Sequence, residues 1–302
     1  GRVGPPPLAA EGCDLALCDV SEESMARTKS LCEAEATGVR VSTCVADVSE
    51  ESQVVAFRDA VAAAHATDRI HLLFNNAGIG GAGSFVLDDR EEWEKIFAVC
   101  WNGVYLSTRA FLPMLLASPE GHVVNTSSVN GFWASVGPTT AHTSYSAAKF
   151  AVKGFTEALV NDFRLNAPHL KVSLVMPGHI GTSIVINSGQ ILGRDPKELP
   201  EEEIEKARVR LARMGFETAG ATTDQIRQAM VLGAEQFRDA APMTAADAAK
   251  TILDGVRNDR WRILVGEDAH VLDEMVRETP EEAYDPPFME RFQARSGWKI
   301  GN

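Results

Sequence analysis

Short apolar runs that alternate with segments of helical periodicity are the feature that most limits what this chain can fold into. The apolar runs predict strands at 14–18, 39–45, 70–74, 122–126, 172–176 and 262–265. The periodic segments between them predict helices at 22–36, 49–66, 89–117, 144–166 and 244–256. Because parallel strands need crossover connections, this order predicts an α/β fold, a doubly wound parallel sheet with helices on both faces.

The alternation breaks over 180–241, where two helices are predicted at 200–214 and 223–238. The first of these helices is highly charged, which is also typical of a solvated surface helix. Since the segment follows one ligand-side strand and precedes the last strand, we interpret 180–241 as a helical lid over a pocket. We treat 1–302 as one domain with this insert and a C-terminal tail at 278–302.

Residues that suit ligand binding or tight turns follow directly after the predicted strands. They are Asp19, Asp47, Asn75, Ser128 and Pro177. Ligands of open parallel sheets bind at the carboxyl ends of the strands. We therefore expect the functional site at this edge of the sheet.

Tyr145 and Lys149 lie four residues apart in a predicted helix, so they share one face of it. A free phenol has a pKa of about 10, and a neighbouring ammonium group favours the phenolate and lowers that pKa. The pair therefore predicts a tyrosine that acts as general acid and base. The same spacing also arises by chance as an ordinary surface pair, so its context has to decide.

That context consists of landmarks that occur in order along the chain. They are Asn75-Asn76-Ala77-Gly78 at a strand end, Asn102 in the long helix, Ser128 within VVNTSS, Tyr145 with Lys149, and Pro177-Gly178 followed by Thr182. With these landmarks the sequence resembles the short-chain dehydrogenase/reductase family from about Leu8 to Val265. The resemblance implies a Rossmann-like sheet and an oxidoreductase that transfers a hydride between a nicotinamide dinucleotide and a secondary alcohol or ketone.

The resemblance also implies the catalytic roles. Tyr145 is the general acid/base, and Lys149 lowers its pKa and binds the nicotinamide ribose. Ser128 donates a hydrogen bond to the substrate oxygen, and Asn102 holds a water that links Lys149 to solvent. Ser127 is the alternative to Ser128; neighbours at a strand end face opposite ways, so only one can serve, and the family motif favours Ser128.

Asp19 decides the expected cofactor. A carboxylate at this strand end accepts hydrogen bonds from the adenosine ribose and repels a 2′-phosphate, and no arginine follows in Val20-Ser21. We therefore expect NAD(H) rather than NADP(H). A plain helix-start role for Asp19 is the weaker interpretation, because Ser21 already suits the N-cap. The other cofactor contacts implied by the family are Asp47, Val48, Asn75, Ala77, Gly78, Tyr145, Lys149, Pro177, Gly178, Ile180 and Thr182.

Candidate substrate contacts lie around these residues. Trp133 stands between Ser128 and Tyr145 and is expected to line the substrate site. His142 and His179 lie near the pocket by placement; a surface or core role is favoured for each, and His179 is kept as a substrate candidate. Trp133 and the insert together suggest a fairly large apolar ketone or alcohol.

Aromatic residues recur every fourth position along the long helix, namely Trp93, Phe97, Trp101 and Tyr105. The spacing predicts a packing stripe. In the family the equivalent helix builds the subunit interface, so the resemblance implies a homodimer or homotetramer.

Composition and charge exclude several classes of function. The formal charge of −13 argues against nucleic acid and anionic membranes as partners, and no apolar run of about 18 residues predicts a membrane span. The five cysteines have neither C-x-x-C nor zinc-like spacing, so we expect no metal and reduced thiols of a cytoplasmic protein. No basic start precedes an apolar stretch, so no signal peptide is expected.

One family landmark is absent, the TGxxxGxG turn that follows the first strand and holds the pyrophosphate. The sequence instead opens with a run of three prolines at 5–7. The missing strand would stand between those ending at Asp19 and Asn75, which would then expose unpaired edges or pair together. We favour a shortened form of a complete enzyme, because the downstream catalytic residues are intact. The alternative is a scaffold or oligomerisation protein that has lost dinucleotide binding.

Overall fold

The computed structural model describes residues 5–81, 83–137, 140–213 and 215–297. Every strand pair formed in these ranges is parallel. The strands are β1 Leu15–Asp19, β2 Val41–Val45, β3 Leu72–Asn75, β4 Gly121–Thr126, β5 Leu170–Pro177, β6 Ile180–Gly181, β7 Met243–Thr244 and β8 Arg262–Val265.

Helices connect these strands and cover them. They are α1 Pro5–Ala10, α2 Glu22–Glu35, α3 Glu51–His65, α4 Arg90–Phe97, α5 Gly103–Leu116, α6 Thr143–Asn166, α7 Ile184–Ile191, α8 Glu201–Arg213, α9 Thr223–Asp239, α10 Ala245–Arg257, α11 Glu267–Glu278 and α12 Pro286–Ser296. The predicted α/β fold class is confirmed. In the ranges described, no helix combines the length and the apolar character that a membrane crossing requires.

The strands form separate sheets rather than one. β1 pairs only with β2, which we call the two-stranded sheet, while β3, β4, β5 and β8 form the four-stranded sheet in that order. β6 and β7 form a third, short pair. Within the described chain, β1 and β3 therefore share no ladder, and each has one edge without a strand partner.

The four-stranded sheet is packed on both faces. Val172 and Leu174 of β5 face α5 and α6, where Phe111 and Phe163 close one core. Val175 points to the other face and packs with α10. This alternation is what a strand covered on both sides requires. Each fully buried side chain of this size contributes about 1.5–3 kcal/mol relative to exposure.

Local sequence signals set the helix starts. Ser21 accepts the Ser24 N–H at 3.2 Å as the N-cap of α2, and Thr244 accepts the Asp247 N–H at 3.1 Å as the N-cap of α10. Both side chains replace a hydrogen bond that the first helical turn lacks. The N-cap predicted at Ser21 and the capping start predicted at Thr244 agree with the structure.

The long helix predicted at 89–117 contains a discontinuity. α4 and α5 are joined by a π-helical turn, Ala98–Asn102, in which one extra residue is accommodated per turn. Apolar periodicity continues smoothly through the turn, so the sequence pattern does not mark it.

The segment over 180–241 holds α7, α8 and α9, of which α7 was not predicted. It reaches across to the loop after β3, because Ser188 of α7 accepts the Gly80 N–H at 2.8 Å. It also reaches α4, where Lys95 donates to the Ile191 carbonyl at 3.3 Å and Arg194 pairs with Glu92. The insert therefore spans the ligand side of the fold.

The tail predicted at 278–302 is folded where it is described. Phe288 and Phe292, four residues apart on one face of α12, are 1% and 0% exposed. They pack against Trp133, with ring centres 6.0 and 5.9 Å away. The helix α12 thus belongs to the core beside the four-stranded sheet.

Candidate active site

Tyr145 and Lys149 lie on one face of the first turns of α6. Lys149 is 3% exposed, and its Nζ donates to the Thr126 carbonyl at 2.9 Å. The same Nζ lies 5.4 Å from the centre of the Tyr145 ring. The carbonyl comes from the last residue of β4, so the strand end and the helix hold the ammonium group between them.

The two neighbouring serines after β4 have different partners. Ser127 is 2% exposed, and its hydroxyl donates to the Lys149 carbonyl at 2.8 Å. Ser128 instead lies at the Tyr145 phenol, whose pKa it lowers, and its hydroxyl accepts the Asn130 N–H at 3.1 Å. The structure therefore brings Ser128 to the phenol, while Ser127 ties β4 to α6.

Burial dominates the electrostatics of the pair. It raises the pKa of the Tyr145 phenol; the Cys100 thiol raises it further, and the Ser128 hydrogen bond opposes both. Burial likewise lowers the pKa of Lys149, because an ammonium group loses its hydration. The sequence predicts that the lysine lowers the tyrosine pKa, whereas in the structure burial is the largest influence on that pKa and raises it. The phenol therefore keeps its proton near neutral pH.

The π-helical turn places Cys100 beside this pair, and Asn102 is the last residue of the same turn. Cys100 is 0% exposed and its thiol donates to the Ile79 carbonyl at 3.3 Å. A Cβ on Gly78 would lie 3.6 Å from Lys149 Nζ and 3.7 Å from Cys100 Sγ, so the loop after β3 passes close to both. π-turns within helices are frequent at functional sites. The water-holding role of Asn102 stays a prediction.

Asn75 is buried, and its side chain forms hydrogen bonds that link neighbouring strands and helices. Its amide donates to Thr108 Oγ1 at 2.9 Å and to Asn125 Oδ1 at 2.8 Å. Asn125 in turn donates to Thr156 Oγ1 at 3.0 Å, which links β3, β4, α5 and α6. Both amide hydrogens of Asn75 are thus used within the protein. Any contact with a dinucleotide would use its oxygen or its backbone.

Ala77 and Gly78 follow Asn75 in the loop after β3. Ala77 is exposed and Gly78 is partly buried. Their backbone is therefore open toward the expected cofactor side, and their assignment stays a prediction.

The carboxylates of the two-stranded sheet lie at its carboxyl end. Asp19 is exposed, and its Oδ1 accepts the Ser21 N–H at 2.9 Å. Asp47 Oδ1 accepts the Ser49 N–H at 2.9 Å and the Ser49 hydroxyl at 2.6 Å. Each carboxylate thus closes the turn that presents it.

Val48 connects this edge to the start of α5. A Cβ on Gly103, the first residue of α5, would lie 2.7 Å from Val48 Cγ2. The close approach requires glycine at this position, and it brings the Asp47–Val48 turn next to Asn102.

Gly178 and His179 form the turn that follows β5. A side chain on Gly178 would collide with the carboxylate of Asp268, whose Oδ2 accepts the His179 N–H at 2.6 Å. The His179 ring is buried against Phe237 of α9, and its Nε2 lies 2.6 Å from the Phe237 carbonyl oxygen. This placement favours the core interpretation of His179 over substrate contact.

Ile180 and Thr182 continue that turn beside Pro177. Ile180 is buried in β6, and Thr182 donates its N–H to the Ile180 carbonyl at 2.8 Å. Pro177 closes β5 and aligns with Val265 of β8. The three residues thus lie at one strand end, as the family landmark implies.

Trp133 is not brought to the site, which corrects the expectation that it lines the substrate pocket. It is 2% exposed, its indole N–H donates to the Ala283 carbonyl at 2.7 Å, and its ring packs in the C-terminal cluster. The residue beside the phenol is His142, with ring centres 4.8 Å apart at 85°. Burial lowers the pKa of His142 to about 4.

Comparison with known proteins agrees with this geometry. The family described as short chain dehydrogenase matches residues 6–191. SadH of Mycobacterium tuberculosis (strain ATCC 25618 / H37Rv) is 34% identical over 271 residues, which cover 89% of this chain and 83% of SadH. Levodione reductase of Leifsonia aquatica is 34% identical over 210 residues, covering 68% of this chain and 74% of that protein.

A solved structure extends the similarity to nearly the whole fold. It is a short chain dehydrogenase/reductase from Burkholderia phymatum in complex with NAD, with a TM-score of 0.69 and 28% identity. The superposition covers 92% of this chain and 89% of the other. From the family match and from 34% identity across most of both chains, this protein belongs to the short-chain dehydrogenase family.

Proposed function

We propose that the protein is an NAD(H)-dependent oxidoreductase that interconverts a secondary alcohol and its ketone, with Tyr145 as general acid/base. The observation that carries the proposal is the placement of the buried Lys149 ammonium group, 5.4 Å from the centre of the Tyr145 ring, with Ser128 at the phenol. Levodione reductase, a relative, is named for a reduction. A partly buried phenol, a hydroxyl donor and an ammonium group are what proton transfer to a carbonyl oxygen needs.

In the direction of reduction, the Tyr145 phenol donates its proton to the ketone oxygen. The Ser128 hydroxyl donates a hydrogen bond to the same oxygen as negative charge develops on it. The raised pKa of Tyr145 keeps the proton in place until that moment. In the direction of oxidation, the phenolate accepts the alcohol proton, and the ammonium group of Lys149 stabilises that phenolate.

The residues at the strand ends fit a nicotinamide dinucleotide. We propose that exposed Asp19 binds the adenosine ribose hydroxyls, the Asp47–Val48 turn the adenine, and Lys149 the nicotinamide ribose. The segment 177–182 would hold the nicotinamide end, and Asn75, Ala77 and Gly78 the adenosine side. When bound, NAD(H) supplies or accepts the hydride at the reacting carbon. Asp19 favours NAD(H), because its carboxylate repels a 2′-phosphate.

We propose that the insert over 180–241 closes over the substrate. The Ser188–Gly80 hydrogen bond supports this role, since it joins α7 to the loop that also approaches Lys149. A segment that shields a redox site from water is an ordinary use of such insertions. We keep a fairly large apolar alcohol or ketone as the substrate class.

We further propose a homodimer or homotetramer that forms through the aromatic stripe, which runs from Trp93 in α4 to Tyr105 in α5. Trp101 stacks on Tyr105 with ring centres 6.1 Å apart, and Tyr105 is 45% exposed. An exposed aromatic at the end of a half-buried aromatic row is typical of a subunit contact. A cytoplasmic location stays a prediction.

Cofactor binding and turnover test the proposal together. We expect NADH fluorescence to change saturably on titration, with weaker binding of NADPH, and NADH to form when NAD⁺ and a panel of secondary alcohols are supplied. Saturable binding without turnover of any alcohol or ketone contradicts the catalytic proposal. No saturable binding favours the alternative, a scaffold protein of the same fold.

A further inference from the structure

We propose that Asn130 is a positioning residue, which sets the direction of the Ser128 hydroxyl toward the substrate oxygen. Asn130 lies two residues after Ser128, in the 3₁₀ turn Val129–Gly131, and is 5% exposed. The inference rests on the proposed function and adds a residue to which the family landmarks assign no role.

Asn130 contacts the Ser128 hydroxyl from two sides. Its backbone N–H donates to Ser128 Oγ at 3.1 Å, and its Oδ1 lies 3.5 Å from the same oxygen as an acceptor for the Ser128 proton. A serine hydroxyl has one donor and two acceptor positions, so the N–H fills one lone pair. The contact at 3.5 Å is at the long limit of a hydrogen bond. The Ser128 hydroxyl proton therefore has a preferred direction, and the weak contact lets it turn to a substrate oxygen.

The side chain of Asn130 is held in one orientation. Its Nδ2 donates to the Trp133 carbonyl at 3.0 Å and to the Ser135 carbonyl at 2.7 Å. Exchanging the amide nitrogen and oxygen would place Oδ1 against two carbonyl oxygens. A buried polar group left without a partner is destabilising. The two donated bonds therefore keep Oδ1 directed at Ser128.

The carbonyls that hold Asn130 belong to an anchored loop. Trp133 donates its indole N–H to the Ala283 carbonyl at 2.7 Å, and the Ala134 N–H donates to the Tyr284 hydroxyl at 3.1 Å. The loop thus rests on the segment before α12. A rigid support of this kind is what precise placement of a catalytic donor needs.

Two substitutions test the side chain. Asn130→Ala removes the amide but leaves the backbone N–H, and Asn130→Asp keeps the shape while removing the two donors. We expect kcat to fall about tenfold or more in both, with KM and NADH affinity little changed, because the Ser128 bond strengthens only as charge develops. Asn161→Asp, at an exposed position of the same helix as Tyr145, is the matched control and should leave kcat unchanged.

The outcomes separate this inference from the proposed function. Wild-type kcat in Asn130→Ala, with Tyr145→Phe inactive, overturns the positioning role and leaves the proposed function standing. If the wild-type protein shows no turnover, crystal structures of wild type and Asn130→Ala test the positioning role instead. Ser128 Oγ unmoved in Asn130→Ala overturns the role, and a rotated Ser128 supports it. Asn130→Ser replaces Asn130→Ala if the latter does not fold.

Discussion

The four-stranded and two-stranded sheets both present polar residues at their carboxyl ends, but they hold them differently. At the first, Lys149 is buried and bonded to the Thr126 carbonyl, and a buried chain of hydrogen bonds joins Asn75, Asn125 and Thr156. At the second, Asp19 is exposed and bonded only within its own turn. The groups that we propose to handle the proton are thus held by contacts between several elements, whereas the expected adenosine contacts depend on local turns.

This difference predicts where substitutions act. Changes at the four-stranded sheet should alter the chemical step, because its groups touch the reacting atoms under our proposal. Changes at the two-stranded sheet should alter cofactor affinity and leave the chemical step intact. A substitution at one sheet that produced the other phenotype would break the comparison.

Lys149→Met gives the largest expected effect. We expect kcat to fall about a thousandfold, within the range for loss of acid–base assistance, since the phenolate loses its neighbouring cation. Stability should change little, because an apolar side chain can replace a buried charge. Steady-state kinetics and thermal melts of Lys149→Met and of the surface control Lys153→Met check this, and a kcat within twofold of wild type contradicts it.

The second largest expected effect is a loss of folding stability in acid. Burial lowers the pKa of His122, in β4, and of His142 to about 4 each, from an ordinary value of about 6.5. Below that value the unfolded chain binds protons that the folded chain refuses, so stability falls as pH falls toward 4. Each histidine should cost about 2 kcal/mol by pH 5.

Urea unfolding at pH 7 and pH 5 measures this loss. His122→Gln should lose less stability between the two pH values than wild type, although its stability at pH 7 is lower because the bond of His122 to Ser173 is altered. His270→Gln, at an exposed position, is the control. An equal loss in His122→Gln and wild type would show that this histidine does not drive the acid sensitivity.

Asp19→Ala gives the smallest effect and probes the two-stranded sheet. We expect NADH to bind about tenfold more weakly, the scale for losing a hydrogen bond to a charged group. The preference for NADH over NADPH should shrink, while kcat at saturating cofactor stays unchanged. Fluorescence titration with both dinucleotides measures this, with exposed Asp68→Ala as control. Unaltered NADH affinity and preference would remove Asp19 from the cofactor site.

The sequence allowed the α/β order and the site to be predicted where the signals are local. The Tyr145–Lys149 spacing placed both side chains on one helix face, and the strand after residue 121 ended next to Ser128. These features depend on periodicity and on neighbours in the chain.

Features that depend on distant partners could not be predicted in the same way. Trp133 lies among Phe288 and Phe292, more than 150 residues later, so its position in the sequence between Ser128 and Tyr145 was misleading. The π-helical turn leaves the apolar pattern unbroken. The pKa of Tyr145 depends on burial, which the spacing with Lys149 does not report. An asparagine two residues after a strand-end serine is a turn-forming signal that could have pointed to Asn130.

Turnover by Tyr145→Phe beside Tyr105→Phe tests the central claim most directly. Both substitutions remove one phenol hydroxyl, at the site in the first case and on the exposed face of α5 in the second. With equal melts and equal NADH binding, we predict a loss of about a thousandfold or more for Tyr145→Phe and wild-type turnover for Tyr105→Phe. Tyr145→Phe turning over at the wild-type rate would contradict the account.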